Sequence, residues 1–80
     1  MEDKNIEVSD LGLASLLATL QFDLVGLERV NAKRVNFVFR YADGIQKVVD
    51  DYWAGVEVSV SAQSLFTNQK TLKNRLYALK

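Results

Sequence analysis

Asp50, Asp51 and Glu57 come closest to a metal-ligand cluster in this chain. Carboxylates gathered this way hold Mg²⁺ or Ca²⁺ when their oxygens converge. Here they do not follow an EF-hand spacing, and neighbouring helix positions point about 100° apart. The expectation is a solvated acidic face, with no metal and no cofactor. Nucleophilic catalysis is poorly served too. Serines are present, but there is no His and no Cys. A Ser-His or Cys-His arrangement is therefore excluded, as are thiolate metal sites and a disulfide scaffold. The four glycines are isolated, so no phosphate-cradling loop is formed.

Cations make the second candidate. Arg29, Lys33, Arg34, Asn36 and Arg40 lie in a stretch without acids, residues 29–41. A β-ribbon carrying Arg and Asn can enter a nucleic-acid groove. Lys70 and Lys73, in a second acid-free stretch, would reinforce it. Against this stand a net charge of zero and Asp23 on the same face. Charge is segregated along the chain: residues 1–28 hold six acids against Lys4, and residues 58–80 hold Lys70, Lys73, Arg75 and Lys80 with no acid. That pattern favours contacts between segments or between copies, and leaves two basic surfaces.

These residues hang on a hairpin from Phe22 to Tyr41. Val35, Phe37, Phe39 and Tyr41 alternate with Arg34, Asn36, Val38 and Arg40, the pattern of a half-buried strand. Phe37 and Phe39 belong to the core face. The preceding run has two readings. A two-residue turn at Asn31-Ala32 pairs Phe22 with Tyr41, Leu24 with Phe39 and Gly26 with Phe37. A three-residue loop at Asn31-Ala32-Lys33 instead sets Val25 and Leu27 beside the aromatics. The tighter turn is preferred, because it buries Phe22, although Ala32 tolerates positive φ poorly. Its reverse face carries Val25, Leu27 and Val38 among Asp23, Arg29, Asn36 and Arg40.

Around the hairpin the chain reads as helix. Ser9 or Asp10 caps a helix to about Leu20. Leu11, Leu13, Ala14, Leu16, Leu17, Ala18 and Leu20 cover most of its circumference, leaving only the small strip Gly12, Ser15 and Thr19. Such a helix is buried on more than one side. Leu13 and Leu16 are therefore expected to meet a partner, by default a second copy in a homodimer, with the small strip allowing close approach. The competing account covers the surplus with the N-terminal segment and the last helix.

Asp43-Gly44 opens a second helix, with Asp43 as its cap and Ile45, Val48, Val49 and Tyr52 as its apolar stripe. Gly55 ends it as a left-handed residue. Trp53 lies about 100° round from Tyr52. It either packs on a third strand or serves as a binding anchor. Val56, Val58 and Val60 alternate as that third strand. Ile6 and Val8 either form a short strand or simply lead in, and the start of 1–8 is loose. Ser61 or Ser64 caps a last helix with Leu65, Leu72, Leu76 and Leu79 inside, Phe66 and Tyr77 beside them, and Gln69, Lys70, Lys73, Asn74 and Lys80 outside.

The fold class expected is α+β: one domain over 1–80, a small three-stranded, mainly antiparallel sheet with three helices, in the order α-β-β-α-β-α. No apolar run is long enough to span a membrane, so a soluble, cytoplasmic chain is expected.

Several runs together resemble a family of small phage, archaeal and mobile-element proteins catalogued as a domain of unknown function. They are Ser9-Asp10-Leu11 with Ala14 and Leu17, Phe22-Asp23-Leu24, Glu28-Arg29, Phe37-Val38-Phe39, Asp51-Tyr52-Trp53-Ala54-Gly55, Val58, Leu72-Lys73 and Leu76-Tyr77. The run at Tyr52 is the most specific. Two departures are Gln21, where the family often has Gly, and Asn31-Ala32-Lys33 in place of a turn with Gly. The resemblance supplies no activity, cofactor or catalytic residue. It implies an accessory role, such as a host-defence inhibitor. The functional expectation is non-enzymatic binding, by self-association and a protein partner. The alternative is a nucleic-acid-binding accessory or regulator acting through the basic hairpin.

Overall fold

The computed structural model describes residues 4–79. Its elements are β1 (Asn5–Val8), α1 (Leu11–Thr19), β2 (Leu24–Arg29), β3 (Val35–Arg40), α2 (Ile45–Ala54) and α3 (Ala62–Ala78). The class is α+β, with three helices and a three-stranded antiparallel sheet ordered β1-β3-β2. Met1–Asp3, where a loose start was expected, and Lys80, assigned to the outer side of the last helix, lie outside the described residues. From Asn5 onward the N-terminal segment is a strand.

The third strand is β1, not Val56–Val60, so the order becomes β-α-β-β-α-α. The valine alternation at 56–60 is real, but the segment finds no strand to pair with. It leaves α2 at Gly55 and leads directly into α3. Val58 and Val60 instead line a cavity with Leu16, Tyr52 and Leu65.

The hairpin resolves its two readings by using both. Leu24 pairs with Phe39, as the two-residue turn requires. A bulge then inserts Val25, and Gly26 pairs with Val38, Leu27 with Phe37 and Arg29 with Val35, as the three-residue loop requires. The extra residue keeps both Leu24 and Leu27 on the core face and leaves Val25 exposed. The preferred two-residue turn is thus corrected to a loop of Asn31, Ala32 and Lys33. Its Asn31 Oδ1 accepts from the backbone N–H groups of Lys33 (2.8 Å) and Arg34 (2.9 Å), a side-chain turn that needs no glycine.

Phe37 and Phe39 are buried against Val8, Leu13, Ala14, Leu17, Ile45 and Leu72. Helix α1 lies at the centre. Its small strip does admit another helix closely, and that helix is α3 of the same chain. Ser15 is buried and donates to the Leu11 carbonyl, Thr19 donates to the Ser15 carbonyl, and Asn68 of α3 donates to Thr19 Oγ1 at 3.0 Å. Gly12, at the other end of the strip, lies under the Tyr52 hydroxyl.

Two helices end alike. Gln21 N–H reaches Ala18 O and Phe22 N–H reaches Leu17 O; Gly55 N–H reaches Tyr52 O and Val56 N–H reaches Asp51 O. Both are Schellman closures, which place one residue at positive φ. Gly55 suits that position at φ 78°, whereas Gln21 occupies it at φ 73°. The cap of α2 is Gly44, at φ 90°, rather than Asp43. Ser61 caps α3 by accepting from Ser64 N–H.

Candidate functional site

Strand β1 is at an edge of the sheet, and its register fixes which way its backbone faces. Tyr41 N–H donates to Lys4 O, while Arg40 N–H donates to Asp23 O on the other side. Along β3, residues 37, 39 and 41 therefore bond to β1, and residues 36, 38 and 40 to β2. Their β1 partners, Ile6 and Val8, face inward. The N–H and C=O groups of Asn5 and Glu7 face outward, with no backbone partner among the described residues. An open edge of this kind is a template for another strand.

A groove of about 340 Å³ runs beside this edge, between β1 and α2. Ile6, Val8, Leu13 and Val49 form its floor, with Gln46 and Trp53 on the α2 side. Trp53 is 66% exposed and stands edge-on to Tyr52, with ring centroids 5.1 Å apart at 85°. It does not pack on residues 56–60, which form no strand; it lines the groove beside β1. A large ring held by a neighbour but open to solvent is a ready contact residue.

Leu13 and Leu16 are placed differently from expectation. They are 0% and 7% exposed, enclosed by the chain's own elements. The surplus apolar face of α1 is covered within the monomer by α3 and by the 56–60 segment. A partner cannot reach Leu13 without opening the core, and Leu16 meets solvent only in the cavity it shares with Val58 and Val60.

The basic residues do not form one surface. In the observed register Asn36 and Arg40 share the open face of the sheet, whereas Arg29 pairs with Val35 and falls on the helix side. Its guanidinium Nη2 reaches the Leu79 carbonyl at 3.5 Å, near the end of α3. The open face also carries Glu7 and Glu28. Asn36 donates to Glu7 Oε1 at 2.9 Å, and Glu28 is its cross-strand partner. Carboxylates on both sides of Asn36 oppose a phosphate there. Lys33 and Arg34 remain exposed at the hairpin tip, and Lys70 and Lys73 on α3.

Asp50 accepts from Gln46, and Asp51 binds Lys47 at 2.7 Å, both one turn away. No three acidic, His or Cys side chains converge among the described residues. The Asp51 partnership raises the Lys47 pKa through a hydrogen bond and charge attraction. The Tyr52 hydroxyl hydrogen-bonds the Asp10 carboxylate, and this bond, with burial and the negative charge, raises the Tyr52 pKa. No helix among the described residues is long and apolar enough to cross a membrane.

The β1 edge is the feature that sequence reasoning undervalued. Its signal was Ile6 and Val8 alternating with Asn5 and Glu7, only four residues long.

A family model described as a domain of unknown function (DUF5659) matches residues 3–78. The chain belongs to that family. No curated protein matches the chain, and no solved structure matches it.

Proposed function

We propose that this member of the DUF5659 family is a non-enzymatic binding protein that self-associates through β1, and that Trp53 serves as the contact for a protein partner. The observation that carries this reading is the pair of outward-facing backbone positions, Asn5 and Glu7, beside a groove of mixed polar and apolar lining and an exposed Trp53. Hydrogen-bonding groups on an edge strand supply affinity to an added strand, and pockets for its alternate side chains supply selectivity.

The register proposed for a second copy places complementary residues opposite one another. About a two-fold axis at Ile6, Asn5 of one chain stands opposite Glu7 of the other. Both are outward-facing positions, so their backbones bond reciprocally. The alternative centred on Glu7 would set two carboxylates face to face, which is unfavourable. The two sheets join as six strands with all helices on one side, and each Trp53 stands beside the joint groove. An accessory role of phage or mobile-element type, such as inhibition of a host defence, suits a chain that acts by occupying a surface.

Glu7→Pro tests this. It deletes an outward N–H and leaves the β1–β3 ladder intact, as Pro allows on an edge. Sedimentation of the wild type should show a dimer and that of Glu7→Pro a folded monomer. A monomeric wild type would remove the self-association.

A further inference from the structure

Helix α3 turns a second, unrelated surface to solvent. Phe66, Lys70, Lys73 and Tyr77 follow at intervals of four, three and four residues, so they fall within roughly 60° of arc on one side of the helix. Phe66 is 65% exposed and Tyr77 57%, and both lysines are exposed. The two rings stand about 16 Å apart along the axis, with the lysines between them. Leu72 and Leu76, about 130° and about 90° round the helix from this face, hold it to the core.

The charge of this face is unbalanced. No acid occurs between residues 58 and 80. Among the described residues the ion pair formed is Lys47–Asp51 on α2, which leaves Lys70 and Lys73 without a carboxylate. The acids sit elsewhere, on α2 and on the open side of the sheet, and would turn α3 toward an anionic partner.

We infer that the outer face of α3 binds single-stranded nucleic acid, with Lys70 and Lys73 on phosphates and Phe66 and Tyr77 as stacking platforms for bases. Rings separated by cations match a strand in which bases alternate with phosphates, and stacking works with any base. An acidic protein helix would instead need a continuous apolar ridge, and this face has none. The site does not use the β1 edge, so neither proposal depends on the other.

The test is binding of a fluorescent mixed-sequence 20-mer, DNA or RNA, to the full chain, with circular dichroism on every variant. The expected dissociation constant is of order 10–100 μM at about 50 mM salt. Neutralising two phosphates weakens single-strand binding about sevenfold between 50 and 200 mM salt. Lys70→Glu with Lys73→Glu should abolish it. Phe66→Ala should weaken it about tenfold without altering the salt slope. Arg40→Glu, on the sheet, should have little effect. Duplex of the same sequence should bind more weakly than the single strand. No binding at about 100 μM protein in low salt, unchanged binding in the double lysine variant, or capture of polyglutamate in place of the oligonucleotide would overturn the proposal.

Discussion

The Tyr52 hydroxyl rests over Gly12, so that a Cβ on residue 12 would meet Tyr52 Oη at 2.8 Å and Cζ at 3.8 Å. The same hydroxyl bonds Asp10, which precedes α1. One hydroxyl therefore ties α2 to the start of α1, and a glycine makes the room.

Gly12→Ala should consequently destabilise the wild type by about 1 kcal/mol, although alanine is the better helix former by a similar amount. In a Tyr52→Phe background the clash is gone and ordinary contact with Cζ remains. There the same substitution should stabilise by up to about 1 kcal/mol. Urea melts of the four proteins in this cycle measure the reversal of sign.

Tyr52 also sets an alkaline limit. Its pKa is raised in the folded state, so its contribution is fully present below the unfolded value of about 10 and is lost as pH rises through the folded value. Ionisation would oppose two negative charges at Asp10. Wild-type stability should fall faster than that of Tyr52→Phe above about pH 10. Parallel stability curves for the two proteins would show that the bond contributes nothing.

Gln21 occupies a left-handed position that glycine takes without cost. Gln21→Gly should stabilise the chain by about 0.5–1 kcal/mol, and Gly55→Ala should destabilise it by about 1 kcal/mol. Thermal melts give both.

How much of this was legible follows from particular residues. Strand β3 was, because Val35, Phe37, Phe39 and Tyr41 fall on alternate positions, and the two phenylalanines are buried. The end of α2 was, because Gly55 is where a left-handed residue belongs. Gln21 departs from the glycine that the resemblance implies, and its positive φ is a conformation that glycine adopts most readily. The turn was not, because a bulge can join two registers and no local pattern announces Val25. The third strand was misplaced because alternation shows that a segment can pair, not that a neighbour is available. Val56–Val60 has the stronger pattern, yet the free edge of β3 was taken by Asn5–Val8. The apolar girth of α1 correctly implied burial on two sides. That α3 supplies the second side depends on tertiary geometry, which no local sequence pattern specifies. For Trp53 the sequence allows both core and contact, and its exposure excludes the core.

Core substitutions should reflect the same geometry. Phe37→Ala should cost about 3–5 kcal/mol, and Leu13→Glu should unfold the chain rather than merely change its mass. Circular dichroism checks both. A well-folded Leu13→Glu variant would mean that α1 is not enclosed as described.

Sedimentation velocity at about 100 μM, on wild type and Glu7→Pro together, bears most directly on the proposed β1 interface. The wild type should run at twice the 9.0 kDa chain mass. Glu7→Pro should run at once that mass with an unchanged circular-dichroism spectrum. A wild type that stays monomeric, or a Glu7→Pro protein that stays dimeric, would contradict it.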